Sequence, residues 1–279
     1  MTIRKAILPA AGLGTRLRPT THFLPKELLP LGEKSVLQRV LEECDAAGLD
    51  QLLVVLNPQK TAIVAVADAL SGEMDPVTRV PTRSVYFVSQ RVRGGLAHAV
   101  LHGEAFVGNE PFAVALADTV VYGGEMPVLS RLIRAHLEHG AVATVAAEEV
   151  PLERVSRYGI FALADAEGSI PGGRGSEVFR VREIVEKPLP EVAPSRLAIS
   201  ARYVFNPEIF AACRAAPRAP NGEIELTRAM TWLAGQGRLV LGVRLAPGER
   251  RLDIGSPESY FAAFRELQQA NREPQESNR

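Results

Sequence analysis

The sequence predicts an α/β fold built on a Rossmann-like, doubly wound and mostly parallel sheet, with antiparallel additions in the second half. Strand-like and helix-like segments alternate four times before residue 150, which is typical of proteins with a parallel sheet. Residues 112–117 are six consecutive apolar residues, as expected of a strand that is buried on both faces. The chain has 279 residues, of which 46% are hydrophobic, so it can bury a sizeable core.

Hydrophobic periodicity places the elements of the first half. Apolar residues recur at helical spacing from Val36 to Cys44, and Gly48 is a suitable end for that helix. The predicted strands comprise residues 3–9, 51–56, 84–89, 112–117 and 141–148. The predicted helices comprise residues 36–47, 59–70, 96–102 and 126–138.

Beyond Pro151 the strand-like segments are joined by loops rich in glycine, proline and charge, which indicates antiparallel additions that cover the first half. The predicted strands comprise residues 158–163, 177–185, 198–205 and 238–245, and residues 223–234 are predicted to be a helix. Residues 168–175 are predicted to be the tip of a hairpin. We therefore expect a single domain over residues 1–270.

The end of that domain is a predicted helix over residues 256–270. Ser256 is suited to the N-cap and Pro257 to the first helical position. The side chains predicted to face inward are Tyr260, Phe261, Phe264 and Leu267. Residues 271–279 are polar and are predicted to be a disordered tail.

Composition argues against several classes of protein. The 32 basic and 32 acidic residues give a net charge of zero, whereas a nucleic-acid-binding protein usually carries a basic excess. Neither Cys44 nor Cys213 lies in a zinc or redox motif, and Cys44 is expected to be a buried thiol. The sequence contains no apolar run long enough for a membrane span and no signal peptide at Met1, so we expect a cytoplasmic protein.

The most informative stretch is the glycine-rich segment Pro9-Ala-Ala-Gly-Leu-Gly-Thr-Arg16, which follows the first strand. Backbone N–H groups in such a turn can form a concave anion site, and Arg16 and Lys26 could neutralise the anion. The segment lacks the pattern of a Walker A loop, and Leu17 replaces the third glycine of a dinucleotide fingerprint. A phosphate chain is the favoured ligand, and the alternative is a tight strand-to-loop turn.

Two carboxylates stand in similar settings. Asp118 ends the apolar run 112–117, and a carboxylate there is costly unless it is paired or bound to a metal. Asp253 lies in the comparable segment Arg251-Leu-Asp-Ile-Gly255. Two carboxylates together with phosphate oxygens or waters suit Mg²⁺. The alternative for Asp118 is a turn or helix cap.

Two further motifs carry polar groups. Glu186-Lys187-Pro188 ends a strand; such a pair is usually surface decoration, but the proline fixes its geometry. Gln90 precedes a predicted helix, and its amide offers both a donor and an acceptor to a pyrimidine edge. His98 on that helix is expected to support the loop or to pack, rather than to bind a ligand.

These motifs closely resemble those of the sugar-1-phosphate nucleotidylyltransferases, and most of all the bacterial UTP–glucose-1-phosphate uridylyltransferases. The resemblance begins with the segments 9–16 and 25–30 and covers roughly residues 3–267 in the family's order. It implies the nucleotide-diphospho-sugar transferase fold, with a nucleotide-binding half (about 1–150) and a sugar-binding half (about 151–255). It also implies a homodimer or a homotetramer.

The resemblance also implies roles for individual residues. The implied catalytic residues are Arg16, Lys26 and Asp118, with Asp118 and Asp253 as ligands of Mg²⁺. The implied nucleotide-binding residues are Ala10, Ala11, Gly12, Gly14, Thr15, Gln90 and Gly95. The implied sugar-phosphate-binding residues are Tyr158, Gly159, Glu186, Lys187 and Ala201. The implied reaction joins UTP and glucose 1-phosphate to give UDP-glucose and pyrophosphate.

Four positions depart from the family pattern, namely His22, Ala97, Thr119 and Ala201, which replace a lysine, a glycine, an aspartate and a glycine, respectively. They leave open the same reaction with dTTP, GTP or ATP, or with a modified sugar or cyclitol phosphate. A non-catalytic sensor of nucleotide sugars on the same fold is a further alternative. A nicotinamide-dependent oxidoreductase is disfavoured by the missing third glycine.

Overall fold

The computed structural model describes residues 2–71, 82–164 and 177–276, with side chains to residue 269. The strands are β1 (Lys5–Ala10), β2 (Pro30–Leu31), β3 (Lys34–Ser35), β4 (Gln51–Leu56), β5 (Ser84–Ser89), β6 (Phe112–Ala115), β7 (Thr119–Tyr122), β8 (Ala143–Glu149), β9 (Gly159–Leu163), β10 (Val178–Glu186), β11 (Leu197–Phe205), β12 (Val240–Arg244) and β13 (Arg250–Asp253). The helices are α1 (Val36–Ala46), α2 (Thr61–Ala69), α3 (Leu96–Leu101), α4 (Glu104–Val107), α5 (Val128–His139), α6 (Glu208–Ala215), α7 (Leu226–Gly235) and α8 (Pro257–Glu276).

Within the described ranges, nine strands form one mixed sheet in the order β5-β4-β1-β6-β11-β8-β12-β10-β9. Strands β5, β4, β1 and β6 are parallel, as predicted for the first half. Strand β11 comes from the second half but lies between β6 and β8 and runs antiparallel to both. The sheet is therefore mixed as a whole, because a late strand separates two early ones.

Two short strands form a separate pair that the sequence analysis missed. Strand β13 is antiparallel to β7, and Asp253 lies opposite Thr119. Each strand has only four residues, which is too short for a clear alternation of apolar and polar residues. The pair brings residue 253 beside the turn that carries Asp118.

Most predicted elements are present, with ends that differ by a few residues. Strands β4 and β5 have the predicted bounds, whereas α7 begins at Leu226 instead of residue 223. The helix begins later than predicted because Ile224 N donates to Gly94 O at 2.9 Å, which holds this segment against another loop. Helices α4 and α6 were not predicted. The predicted hairpin tip at 168–175 lies outside the described residues.

The side chains of β1 alternate between two hydrophobic clusters. Ile7 packs in a cluster with α3, α6 and α7, whereas Leu8 packs in a cluster with α1, α2 and α5. Cys44 and Cys213 are free and buried, one in each cluster, and burial raises the pKa of each thiol to about 12. The prediction that Cys44 is a buried thiol is confirmed.

The final helix begins as predicted, since Ser256 Oγ accepts a hydrogen bond from Ser259 N at 3.2 Å. The inward direction predicted for Phe261 is wrong, because its side chain is 61% exposed. Tyr260, Phe264 and Leu267 share one helical face that packs on β13, and Phe261 lies outside that face. Helix α8 continues to Glu276, past residue 270, where the sequence analysis ends it.

None of the helices in the described ranges combines the length and the hydrophobicity that crossing a bilayer requires.

Candidate functional site

The glycine-rich segment and Asp118 border one cavity of about 310 Å³ at the carboxyl ends of β1, β5 and β6. This is the edge at which ligands bind in open α/β sheets. The cavity is lined by Pro9, Ala11, Gly12, Lys26, Glu27, Gln90, Arg93, Gly95, Leu96, Ala99, Leu116, Asp118 and Glu223. Motifs from four separate parts of the sequence therefore meet in one place.

The two glycines of the first loop are required for different reasons. Gly14 has φ of 62°, in the left-handed region, and a Cβ atom there would lie 3.1 Å from Thr21 Cγ2. Thr21 Oγ1 also donates to Gly14 O at 2.8 Å, which closes the loop. A Cβ atom on Gly12 would lie 3.5 Å from Lys26 Nζ. Gly12 therefore keeps the space beside the ammonium group open.

Lys26 and Asp118 form an ion pair at the cavity, with side chains that are 13% and 25% exposed. Burial acts to lower the pKa of Lys26, but the charges of Asp118, Glu27 and Asp253 outweigh it and raise this pKa. Burial acts to raise the pKa of Asp118, but Lys26 and the Thr119 hydroxyl outweigh it and lower this pKa. Both groups are therefore charged at neutral pH.

A second, fully buried ion pair lies beneath the loop, and the sequence analysis missed it. Lys60 Nζ donates to both carboxylate oxygens of Glu27, at 2.8 and 2.7 Å, and to Ala10 O at 2.8 Å. Burial raises the pKa of Glu27 and lowers that of Lys60. The pair fixes the backbone next to both Lys26 and Ala11. The sequence feature that could have revealed this pair is Lys60, a lysine directly before the mostly apolar helix α2.

Gln90 is held in the cavity wall by its neighbours. Its Nε2 atom donates to Gly95 O at 3.4 Å and lies 2.8 Å from His98 Nδ1, so Oε1 is available to a ligand. Gly95 has φ of 89°, and a Cβ atom there would lie 2.8 Å from Ile224 O. His98 therefore supports the loop, as predicted, and Ala97 beside it is fully buried.

Arg16 and Asp253 approach each other at the open side of the site. A Cβ atom on Gly255 would lie 2.9 Å from Arg16 Nη2 and 3.2 Å from Asp253 Oδ1. The charge of Asp253 also acts on Lys26, the partner of Asp118. The described residues contain no cluster of three or more histidine, cysteine, aspartate or glutamate side chains suited to a metal. Glu27 and Glu223 also line the cavity, and Glu27 is paired with Lys60.

The residues predicted to bind the sugar phosphate lie together on β9, β10 and β11. Lys187 Nζ pairs with Glu186 Oε1 at 2.9 Å, and Lys187 N donates to Tyr158 O at 3.0 Å. The hydrogen bond that Lys187 donates to Glu186 is the main cause that raises the pKa of Lys187, and the charges of Glu186, Glu225 and Glu223 add to it. Because Glu223 also lines the cavity, the residues predicted to bind the sugar phosphate are neighbours of the residues that line the cavity.

Two residues of this group have unusual backbone conformations. Lys187 has φ of 47° and Ala201 has φ of 55°, which are uncommon outside glycine. Ala201 lies where the pairing of β11 with β8 shifts register, between Ile199 and Tyr203. Strained backbone of this kind is often found at functional sites.

Some predicted residues lie away from the cavity itself. Ala10 is buried beneath the loop, Thr15 is exposed in the turn that follows, and His22 is exposed beside Phe23. Gly159 is packed tightly, since a Cβ atom there would lie 3.0 Å from Thr227 Cγ2. The Arg251 guanidinium, which the sequence analysis missed, lies 4.1 Å from the centre of the Tyr158 ring.

The chain is similar to known proteins of one family over almost its whole length. Residues 5–270 match the family described as Nucleotidyl transferase. A UTP–glucose-1-phosphate uridylyltransferase of Mycoplasma pneumoniae is 35% identical over 274 residues, which cover 94% of this chain and 91% of the relative. A solved UDP-glucose pyrophosphorylase complexed with UDP-glucose superposes with a TM-score of 0.82 at 31% identity, covering 96% of this chain and all of that chain. The UTP-bound UGPase of Acinetobacter baumannii superposes with a TM-score of 0.79 at 30% identity, with coverages of 95% and 93%.

Proposed function

The chain belongs to the nucleotidyl transferase family, and on that premise we propose that it converts UTP and glucose 1-phosphate into UDP-glucose and pyrophosphate. The observation that carries the proposal is the meeting of Lys26 and Asp118 in a cavity bordered by Gly12 and Gln90. A cation, a carboxylate, an open glycine loop and a base-reading amide are the groups that nucleotidyl transfer from a pyrimidine nucleotide requires.

UTP is proposed to bind with its base against Gln90 and its phosphates along residues 10–16. The amide of Gln90 directs Nε2 toward Gly95 O and His98, so Oε1 can accept the N3–H group of uracil. Gly12 and Gly14 allow the phosphates to approach the backbone, and Lys26 and Arg16 supply positive charge. A related protein has been solved with bound UTP.

Glucose 1-phosphate is proposed to bind beside β9, β10 and β11. Glu186 would accept hydrogen bonds from sugar hydroxyls, and the exposed Lys187 ammonium would bind the phosphate. The backbone of Tyr158, Gly159 and Ala201 would border the sugar ring. A related protein has been solved with bound UDP-glucose.

The reaction requires positioning and charge neutralisation but no protein nucleophile. A phosphate oxygen of glucose 1-phosphate attacks the α-phosphorus of UTP, the new P–O bond forms, and the bond to pyrophosphate breaks. Lys26 holds the α-phosphate, Lys187 holds the attacking phosphate, and Arg16 neutralises the charge that develops on the leaving pyrophosphate.

The two aspartates fit a hard divalent cation, and we propose Mg²⁺. Asp118 and Asp253 supply carboxylate oxygens, and Mg²⁺ commonly takes one or two carboxylates and fills its other positions with phosphates and waters. When bound, Mg²⁺ would neutralise negative charge on the phosphates of both substrates. Before substrate binds, Lys26 occupies one side of Asp118.

We also propose that residues 1–270 form one domain with a doubly wound sheet. The support is that β11 separates β6 from β8 and that β1 contributes to two clusters containing different helices. A dimeric or tetrameric assembly and a cytoplasmic location remain predictions.

The test is an assay of the purified protein with four nucleotides (UTP, dTTP, GTP and ATP) and a panel of sugar 1-phosphates, with pyrophosphate release and product mass as readouts. UTP with glucose 1-phosphate should give the highest kcat/KM. A preference for another combination of nucleotide and sugar phosphate would show that the protein catalyses one of the alternative transfer reactions. Binding of UDP-glucose without turnover under any condition would instead favour the sensor.

A further inference from the structure

Arg202 is a fully buried arginine between the residues that line the cavity and the residues predicted to bind the sugar phosphate. Its side chain is 0% exposed, and it lies on β11 directly after Ala201. Nε and Nη2 both donate to Glu43 Oε2 of α1, at 3.0 and 2.7 Å. A buried cation is tolerated only when it is paired and its donors are satisfied.

The remaining donors of Arg202 bind three backbone carbonyls at the site. Nη1 donates to Leu116 O at 3.4 Å and to Ala201 O at 3.0 Å, and Nη2 donates to Thr119 O at 2.9 Å. Leu116 and Thr119 lie on either side of Asp118 in the sequence. The guanidinium therefore holds both ends of the turn that carries Asp118.

The same group also holds the strained bulge of β11. The carbonyl of Ala201 accepts from Arg202 Nη1 and from Leu116 N, the latter at 3.2 Å. The Asp118 turn and the Ala201 bulge are thus bonded to one guanidinium and to each other. Arginine suits this position because it presents five N–H donors in a rigid plane, whereas a lysine ammonium has three donors on a flexible stem.

We propose that Arg202, anchored by Glu43, is a positioning residue that sets the metal-binding carboxylate of Asp118 and the sugar-facing backbone of Ala201 relative to one another. The inference rests on the proposed function. It predicts that disturbing one buried side chain weakens metal binding and sugar-phosphate binding together. Among the described residues, the hydrogen-bond partners of Arg202 are Glu43, Leu116, Thr119 and Ala201, and Gln90 is not one of them, so uracil binding should be unaffected.

The experiment compares Arg202→Lys with Arg131→Lys. Arg131 is a matched control because it is also buried (7% exposed), pairs with Glu177 and Glu249, and donates to Arg244 O, but it has no contact with the site. The measurements are the melting temperature, the KM for glucose 1-phosphate, and calorimetric titration of Mg²⁺ into protein saturated with UDP-glucose. Calorimetric titration of UTP in EDTA reports on the uracil pocket.

Both variants should lower the melting temperature. Only Arg202→Lys should weaken Mg²⁺ binding and raise the KM for glucose 1-phosphate, each by about 10- to 100-fold, the range typical of residues that orient metal ligands. Its affinity for UTP in EDTA should match that of wild type. The inference is overturned if the two variants have the same Mg²⁺ affinity and the same KM, or if only one of these quantities changes in Arg202→Lys.

A milder variant covers the case in which Arg202→Lys does not fold. Glu43→Gln keeps an oxygen facing Arg202 but removes the anchoring charge. Like Arg202→Lys, it should weaken Mg²⁺ binding and raise the KM for glucose 1-phosphate, but by smaller factors. Unchanged Mg²⁺ affinity in Glu43→Gln would then overturn the inference. If wild-type protein releases no pyrophosphate, the proposed function fails, whereas the titration of Mg²⁺ into protein saturated with UDP-glucose still tests the role of Arg202: equal Mg²⁺ affinity in Arg202→Lys and Arg131→Lys would overturn it.

Discussion

Lys26 and Asp118 form an ion pair in the cavity although they are 92 positions apart in the sequence. Each residue keeps the other charged in a largely buried setting. In the proposed reaction, the pair would present a preformed cation to a phosphate and a preformed carboxylate to a metal. The depressed pKa of Asp118 contributes stability above the usual carboxyl pKa of about 3.9, and this contribution is lost as the pH falls through the lower pKa of the folded state.

Asp118→Asn and Asp253→Asn should each fold but lose Mg²⁺-dependent turnover. Loss of a direct ligand should cost at least as much as loss of an orienting residue, so we expect a decrease of about 100-fold or more in kcat. The exposed Asp68→Asn is the control and should retain wild-type turnover. Near-normal activity of either site variant would remove that aspartate from the metal site.

Lys60→Met should be strongly destabilising because it leaves the Glu27 carboxylate buried without a counter-charge. We expect a loss of about 3–5 kcal/mol in the free energy of unfolding, measured by urea denaturation. The half-exposed pair Lys34–Glu42 provides the control, and Lys34→Met should cost less than about 1 kcal/mol.

The double variant Lys60→Met/Glu27→Leu separates stability from function. Removing both charges should restore much of the lost stability, whereas turnover should stay low because Ala10 O has lost its donor. Full recovery of turnover would show that the pair does not position the phosphate loop.

Arg16→Ala and Lys187→Ala should affect different kinetic constants. Lys187 contacts the ground-state phosphate in the proposal, so its loss should raise the KM for glucose 1-phosphate. Arg16 is proposed to act on charge that develops during transfer, so its loss should lower kcat. Steady-state kinetics with each substrate varied in turn checks both, and the reverse pattern would mean that the two roles are exchanged.

Ala201→Gly should stabilise the protein because Ala201 has φ of 55°. Relief of left-handed strain is worth about 1–2 kcal/mol and the added freedom of the unfolded chain costs about 0.4–1 kcal/mol, so the expected net gain lies between about 0 and 1.6 kcal/mol. Ala198→Gly in the same strand is the control and should destabilise, since Ala198 is buried without a positive φ.

The same variant tests sugar specificity. Removing the methyl group beside the proposed sugar position should improve the use of glucose 1-phosphate and leave the choice of nucleotide unchanged. If every sugar phosphate of the panel is used as before, residue 201 does not set specificity. Glu186→Ala should lose sugar discrimination, while calorimetric UTP affinity stays near that of wild type.

His98→Ala should weaken discrimination between UTP and CTP. His98 Nδ1 helps to hold the Gln90 amide with its oxygen toward the cavity, and uracil and cytosine differ in the hydrogen bond that N3 makes. One hydrogen bond is worth about 0.5–1.5 kcal/mol, so the ratio of the two kcat/KM values should fall by up to about tenfold. This ratio is insensitive to the fraction of folded enzyme, and an unchanged ratio would contradict the role of His98.

Local sequence patterns were sufficient to predict much of the fold. Strands β4 and β5 were predicted with their observed bounds, and Ser256 was predicted as the cap of the last helix, because apolar periodicity and capping depend on neighbouring residues. The sequence analysis also selected Asp118 because it follows a buried strand, and the structure places it at the edge where the parallel strands end together.

By itself, the sequence determined the order of most elements and the family to which the chain is similar, and it predicted which side chains carry the chemistry. Only the tertiary structure decided how distant segments meet: β11 between β6 and β8, Asp253 opposite Thr119, Lys60 beneath the loop, and Arg202 between the Asp118 turn and the Ala201 bulge. The physical reason is that strand pairing, burial of ion pairs and positive φ at an alanine depend on contacts between residues far apart in the chain. Such contacts leave no periodic signal in the local sequence.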